Sequence, residues 1–354
     1  MSSPLGMGLV GLGGISRAHL AGYERLGSLV NVAAVFDQDS SRAAHVASSL
    51  GARPHTSLTG LLEDPAVEAV DLMLPHHAHF AAASEALSAG RHVLVEKPLA
   101  LSSDECRLLI EQAREAGLTL GVAENTRFVA AYLAVEQLLR SGDLGEPRLA
   151  RTLISGSEVI RLRDRALWKG RRAGSGGGTI FDAGPHSFYL LRWLLGEIAT
   201  VRAFHHKLVA ESEVDDHAVV AGRLASGALY TTEYTFTAEI PWGERLELYC
   251  SEGSVIVDQL GQPPAIHFTG PGDREGRALD VKPNPDGWKL DSIAGGVIDF
   301  VSAVSEGRAP LVSAEDGLHG VVVAELAYRS AAAGGIELPL AVLEGVSGKT
   351  PPAN

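Results

Sequence analysis

The stretch Met7-Gly8-Leu9-Val10-Gly11-Leu12-Gly13-Gly14-Ile15-Ser16 decides how the first half of this chain folds. Met7–Val10 is a short apolar strand that runs directly into a G-x-G-x-x-S turn, with Ser16 where a dinucleotide fingerprint usually has a third Gly or Ala. The first two glycines permit a tight turn and close backbone approach to a pyrophosphate, and the helix that follows offers N–H donors at its N-terminus. Residues 15–26 read as that helix, stopped by Gly27, and Val30–Phe36 reads as the next strand, ending in Asp37. Asp37 lies 24 positions after Gly13, close to the spacing of a carboxylate that binds the adenosine ribose hydroxyls. A lone G-x-G is weak evidence, but strand, glycine turn, helix, strand and acid together point to a dinucleotide, and the carboxylate favours NAD over NADP. The nearby Arg42 pulls the other way.

Outward from this turn the strand–helix alternation continues. Val67–Leu74 reads as a buried strand, followed by Pro75-His76-His77-Ala78-His79, an Ala-rich helix over 79–89 closed by Gly90, and a strand at Val93–Val95. Ser102-x-x-Glu105 is a capping box opening a helix to Ala116 with Gly117 behind it, and Leu118–Val122 is a further strand. This spacing predicts a doubly wound, mainly parallel sheet whose ligands gather at the strand C-termini: Gly11–Gly14, Asp37, Pro75–His79, Glu96–Pro98 and Glu124–Arg127. Lys97 is the only lysine in the first 168 residues and stands at one of those ends. The histidines at 76, 77 and 79 invite a metal reading. Zinc needs three or four ligands of fixed geometry, and no Cys or HExxH partner accompanies them, so no metal is expected and the loop is read as cofactor-side.

From Pro147 the pattern changes. β-like runs at 148–156, 200–209, 216–224, 228–237, 244–250 and 254–258, with Gly turns between several of them, predict a largely antiparallel sheet. A helix is expected over 126–140 and a helical insertion over 174–196, containing Gly176-Gly177-Gly178, Asp182 and His186. On one helix, positions four apart share a face, so Asp182 would stand beside His186 and could fix its tautomer, as suits a general base. The plain alternative is that Asp182 caps the helix and His186 is packed.

Composition narrows the function classes. The 354 residues suffice for two domains, each with its own core. A net charge of −13 argues against nucleic acid and anionic membranes, and no apolar run approaches the ~20 residues of a membrane span. The N-terminus lacks the basic start and apolar core of a signal peptide, and Cys106 and Cys250 show no metal or redox spacing, so a cytoplasmic location is expected.

Taken together, Gly11-x-Gly13, Asp37, Glu96-Lys97-Pro98 and Gly176-Gly177-Gly178…Asp182-x-x-x-His186 resemble the glucose–fructose oxidoreductase / inositol dehydrogenase (Gfo/Idh/MocA) family over nearly the whole chain, including the expected 313–330 helix and the 336–339 run. The resemblance implies a Rossmann doubly wound domain over 1–125, an α+β domain with a largely antiparallel, open-faced sheet over 126–345 and a tail at 346–354. It implies an NAD(P)-dependent enzyme, with NAD favoured by Asp37, that moves hydride between a secondary alcohol of a sugar, cyclitol or related polyol and nicotinamide, assembled as a homodimer or homotetramer. Lys97 matches the family's active-site lysine, Pro98 its cis proline, and Asp182 and His186 the groups that handle the hydroxyl proton. Gly11, Gly13, Gly14, Ile15, Asp37, Pro75, His76, His79, Glu96 and Lys97 are the expected cofactor contacts. Asn125, Arg127, Trp168 and Tyr189 join Lys97, Asp182 and His186 as substrate candidates. Tyr189 stands where the family often has Asp, and Pro75-His76-His77 where Pro-Asn is frequent; both departures bear on the substrate more than on the reaction. The run Arg161, Arg163, Arg165, Lys169, Arg171, Arg172 is either an anion-attracting segment or a solvated, ion-paired one. His205, His206 and His217 read as structural. Two other readings of the same residues stay open: transient oxidation with retained NAD to break a glycosidic or C–O bond, and a non-catalytic sugar or NAD sensor.

Overall fold

The computed structural model describes residues 3–259, 265–270, 272, 273, 275–279 and 286–341. In the first half, apolar strands alternate with helices: β1 Leu5–Val10, α1 Ser16–Leu26, β2 Val30–Phe36, α2 Ser40–Leu50, β3 Arg53–His55, α3 Leu58–Leu62, β4 Ala69–Leu72, α4 His79–Ser88, β5 His92–Glu96, α5 Ser103–Ala116 and β6 Leu120–Ala123. All pairings are parallel, in the order β3-β2-β1-β4-β5-β6. The order reverses between β1 and β4, the switch point at which such sheets bind ligands. β1 and β4 are buried on both faces, as a parallel sheet covered by helices requires. The capping box forms as expected: Ser102 accepts from Glu105 N–H, Glu105 reaches back to Leu101 N–H, and Gly117 ends α5 in the left-handed region.

The chain continues through α6 Ala130–Ser141, β7 Pro147–Ser155, α7 Val159–Arg163, α8 Arg172–Ser175, α9 Thr179–Asp182, α10 Gly184–Leu195, β8 Ile198–His206, β9 His217–Leu224, β10 Leu229–Thr235, β11 Gly243–Cys250, β12 Ser254–Asp258, β13 Ala265–Thr269, β14 Arg277–Ala278, α11 Trp288–Glu306, α12 Ala314–Ala332 and β15 Leu338–Pro339. The second sheet has nine strands among the described residues, in the order β14-β13-β12-β11-β7-β10-β9-β8-β15. Its pairings are antiparallel except β7 with β10, which is parallel. On one face Ala150, Thr152 and Ile154 of β7 are buried, and α10 packs there, with Thr152 donating to Ser187 at 2.9 Å. The other face is open. Registers place Leu149, Leu229 and Tyr249 side by side there, with Val219 and Phe204 nearby, all exposed, and Arg151 paired to Glu233 at 2.8 Å.

The chain divides into two compact units. One comprises Met1–Leu133, Ala173–Gly176 and Lys282–Val321; the other comprises Ala134–Arg172, Gly177–Val281 and Val322–Asn354. In the first unit α11 packs along α1, where Gly22 gives the backbone its close approach: a Cβ there would stand 2.8 Å from Val297 Cβ. Phe300, fully buried, lies over Gly121 of β6.

Several expectations shift. The strand expected over 67–74 is only Ala69–Leu72, and that over 200–209 ends at His206 because Leu208 and Val209 turn to donate their N–H groups to Asp216. The helix expected from Thr126 starts at Ala130 after a 3₁₀ turn over Asn125–Phe128. Asp182 and His186 do not share one helix. Pro185 has no N–H to bond back to Phe181, so α9 stops at Asp182 and α10 restarts at Gly184, with Ala183 still in the right-handed region between them. The expected tail at 346–354 lies outside the described residues. No helix among the described residues is long and apolar enough to cross a membrane.

The α1–α11 contact gives a first prediction. Gly22→Val forces overpacking at Val297 and Ala294 and should lower unfolding stability by about 1–3 kcal/mol, read from a denaturant midpoint.

Candidate functional site

The glycine turn separates into two kinds of glycine. Gly11 has φ 83° and donates its N–H to Phe36 O at 2.9 Å, and a Cβ there would stand 2.5 Å from Met73 O. The fold itself demands glycine at that position. Gly13 and Gly14 are exposed, and a Cβ on either would meet nothing within 4 Å. Their missing side chains leave clearance above the N-terminus of α1, where Ile15 at the N-cap has no side-chain group with which to cap the helix. An uncapped helix start below a side-chain-free turn suits a pyrophosphate, so the residues present fit a dinucleotide.

Asp37 closes the turn from the β2 side. Its Oδ2 accepts Leu12 N–H at 2.6 Å, Oδ1 accepts Asp39 N–H at 2.8 Å, and Arg42 reaches both oxygens at 3.2 Å. Arg42 is therefore engaged by Asp37, and by Asp39 at 3.3 Å, in a pairing that the sequence spacing alone left undecided.

At the end of β5 the Lys97–Pro98 peptide is cis. Glu96 Oε2 accepts the Lys97 N–H at 3.1 Å, and its Oε1 lies 3.0 Å from His19 Nε2. The other nitrogen of His19 lies 2.8 Å from Asp71 Oδ2, which also accepts Tyr23 O–H at 2.8 Å. Burial alone would lower the His19 pKa, but Asp71 and then Glu96 outweigh it and push the imidazole up to about 10. Glu96 is held below its ordinary value: burial opposes this, and the bond and charge of His19 override it. Sequence reasoning passed over His19 and Asp71. The available signals were one acid in the apolar run Ala69–Leu72 and the i,i+4 pair His19/Tyr23 on one face of α1.

The three histidines after β4 turn to backbone carbonyls. His76 Nδ1 donates to Ser175 O at 3.0 Å, and His77 Nδ1 to Gly174 O at 3.2 Å. His79 is fully buried, its ring nitrogens 2.7 Å from Pro98 O and 2.9 Å from Leu74 O, so it ties the Pro75 loop to the Pro98 peptide. Among the described residues no group of three or more His, Cys, Asp and Glu is arranged to hold a metal ion. Asn125 is nearly buried, and its amide donates to Ser292 of α11 at 2.7 Å, while Arg127 is half-buried.

In the second unit the glycine run is a steric requirement. Side chains at Gly177 and Gly178 would collide with the Tyr328 ring and the Asp215 backbone. Asp215 is the hub: it accepts Thr179 O–H at 2.6 Å, Gly178 N–H at 3.1 Å and Tyr328 O–H at 2.6 Å. This clamp fixes the start of α9, which carries Asp182. The Asp182 carboxylate lies 2.9 Å from Lys169 Nζ, which also sits 3.3 Å from Glu158 and 5.7 Å from the centre of the Phe236 ring. Phe236 in turn packs against Trp242. His186 is half-buried, Trp168 is half-buried beside Lys169, and Tyr189 is buried against Trp193. The basic run is ion-paired in part: Arg161 with Glu158 at 3.3 Å, Arg163 with Glu211 at 3.9 Å, and Lys169 as described. His217 pairs with Asp216 at 2.7 Å.

A doubly wound sheet with a glycine turn opened for a pyrophosphate and a carboxylate at the next strand end defines a Rossmann dinucleotide-binding protein. A family described as oxidoreductases with an NAD-binding Rossmann fold matches residues 5–124, and the GFO/IDH/MocA C-terminal domain matches residues 132–256. The chain belongs to the Gfo/Idh/MocA family of oxidoreductases, and its N-terminal domain is an NAD-binding domain. Myo-inositol 2-dehydrogenase of Thermotoga maritima is 26% identical over 334 residues, 92% of this chain and 95% of that protein. The dTDP-3,4-didehydro-2,6-dideoxy-alpha-D-glucose 3-reductase of Streptomyces violaceoruber is 33% identical over 240 residues, 66% of this chain and 67% of that one. Among solved structures, levoglucosan dehydrogenase in complex with NADH and levoglucosan superposes with TM-score 0.88 at 22% identity, covering 96% of this chain and all (100%) of that one.

Two predictions follow from the geometry. If Asp37 binds the adenosine ribose, Asp37→Ser removes that carboxylate and its pairing with Arg42, so NAD affinity should fall by roughly 10-fold, the order of a lost charged hydrogen bond, while NADP gains relative to NAD in a fluorescence titration. Because His19 has a higher pKa folded than unfolded, its stabilisation is fully present below pH 6.5 and is lost as pH rises through about 10. The groups facing it are Asp71 from β4, Glu96 from β5 and Tyr23 on its own helix. Thermal midpoints of the wild type should therefore decline over that window more steeply than those of His19→Gln.

Proposed function

We propose that the protein is an NAD-dependent dehydrogenase acting on a secondary alcohol of a sugar, a cyclitol or a related derivative. The observation that carries this reading is in the second unit: a half-buried His186 in the first turn of α10, four positions after Asp182 at the end of α9, whose carboxylate is engaged by Lys169 at 2.9 Å. A carboxylate that orients an imidazole supports proton transfer at a hydroxyl, and Lys169 holds the Asp182 carboxylate in place. The names of its relatives, an inositol dehydrogenase and a deoxysugar 3-reductase, support the substrate class.

In this reading Gly11, Gly13, Gly14 and Ile15 hold the pyrophosphate and Asp37 the adenosine ribose, while Pro75, His76, His79 and Glu96 shape the remaining cofactor contacts. Bound NAD supplies the hydride acceptor or donor. His186 takes the hydroxyl proton, Asp182 orients it, and Lys97 hydrogen-bonds the same substrate oxygen and favours its alkoxide-like charge. Asn125, Arg127, Trp168 and Tyr189 are assigned to the substrate. Cofactor work falls to residues 1–125, and substrate and subunit contacts to 126–345. The uncovered sheet face with Leu149, Val219, Leu229 and Phe204 supports a homo-oligomer.

The test is an NAD⁺-reduction screen over cyclitols, aldoses, sugar acids, glycosides and nucleotide sugars. Lys97→Ala and His186→Ala should each lower kcat on any substrate found by roughly 10²–10⁴-fold, the range of a positioned acid–base group. Wild-type turnover in both variants would refute the assignment.

A further inference from the structure

We propose that His19 is a positioning residue for the Lys97 strand end: its ring bridges Asp71 and Glu96, and Glu96 in turn receives the Lys97 backbone N–H. The inference deepens the reading of Lys97 as a catalytic group and rests on it for its kinetic consequence.

The geometry leaves His19 little choice of state. It is 0% exposed, and both ring nitrogens face carboxylate oxygens, at 2.8 and 3.0 Å. A carboxylate can only accept, so both nitrogens must donate and the ring is an imidazolium. The three partners come from three elements: His19 from α1, Asp71 from β4 and Glu96 from β5. Tyr23, one turn along the buried face of α1, adds a second donor to Asp71. With Lys97 the group carries two negative and two positive charges, a balance that buried ions need.

Glu96 divides its two oxygens between the tasks, Oε1 to His19 and Oε2 to the Lys97 N–H. Without His19 the Glu96 carboxylate would face Asp71 with no counter-ion between them. It would then take up a proton or swing toward solvent, and either response frees the peptide that carries Lys97. The helix that begins at the glycine turn therefore reaches through its own buried face to a residue two strands away in the sheet order.

A merely structural bridge would lower stability and leave Lys97 chemistry alone, so the experiment reads Lys97 directly. In the full-length protein, the rate of acetylation of each lysine by acetic anhydride is followed by peptide mass spectrometry in wild type, His19→Gln and Glu96→Gln. Lys97 labelling should change by roughly 3-fold or more in both variants, while Lys289 of the same unit keeps its wild-type rate as the control for folding. With any substrate from the screen, His19→Gln should lower kcat by roughly 10-fold or more while the NADH Kd stays within about 3-fold, the signature of lost orientation rather than lost binding. The His19→Gln/Glu96→Gln double variant should be no slower than Glu96→Gln alone, since both act through one link. If the screen finds no substrate but Lys97 labelling shifts as described, the dehydrogenase reading fails and the positioning role stands. Unchanged Lys97 labelling in both variants overturns the proposal, as does an additive double variant. Should His19→Gln fail to fold, Glu96→Gln alone still decides the last link.

Discussion

A protonated imidazole held between two buried carboxylates sets the constraint around which the parallel sheet is arranged. Removing an ion from water costs several kcal/mol, and that cost is offset only when partners and geometry are complete. Asp71 stands inside a strand that is otherwise apolar and fully buried, so its charge is tolerable there only with His19 and Tyr23 supplied from α1. The same imidazole holds Glu96 at the end of β5. Helix α1 is thereby fixed against β4 and β5 by charge and against α11 by the backbone approach at Gly22. The glycine turn that opens α1 inherits its position from both.

The second unit solves its own positioning problem with different chemistry. Asp215 collects a hydroxyl, a backbone N–H and a phenol, and the glycines before Thr179 allow those groups to meet. Tyr328 is buried, and its phenolic pKa is pushed well above the ordinary value by burial and by Asp215, so it remains a donor at any working pH. Asp182 follows this clamp by one short helix. Lys169 then couples it to Glu158 and to the aromatic pair Phe236 and Trp242, which gives the carboxylate a fixed, charged surround instead of a solvated one.

Much of the first unit was legible because its signals are local. Strand β2 was read with its observed bounds, and α5 with its capping box, since a serine, a glutamate and a glycine at fixed offsets act within one turn of chain. The antiparallel runs were equally plain, because alternation survives wherever one face of a sheet is open. What sequence could not show was pairing at a distance. His19 and Asp71 are 52 positions apart, and Tyr328 reaches Gly178 across 150. Lys169 was visible only as one charge in a basic run, and its partner became clear once Asp182 had a place. β3 escaped because Pro54 sits inside it, which an edge strand tolerates and a pattern search rejects. Asp182 and His186 fall on separate helices for a local reason visible in the sequence: Pro185 cannot continue the hydrogen-bond ladder.

The glycines show why a motif must be read position by position. Gly11, Gly177 and Gly178 are small because the protein's own backbone or rings occupy the space a Cβ would need, and a substitution there disturbs the fold before any ligand arrives. Gly13 and Gly14 are the reverse. Nothing in the chain opposes a side chain at either, so packing gives no reason for glycine there. A residue whose smallness serves no internal contact, at the uncapped start of a helix, leaves the helix N–H groups open to approach from outside. That difference separates the glycine that the fold itself requires, Gly11, from the two, Gly13 and Gly14, that leave clearance above the first turn of α1.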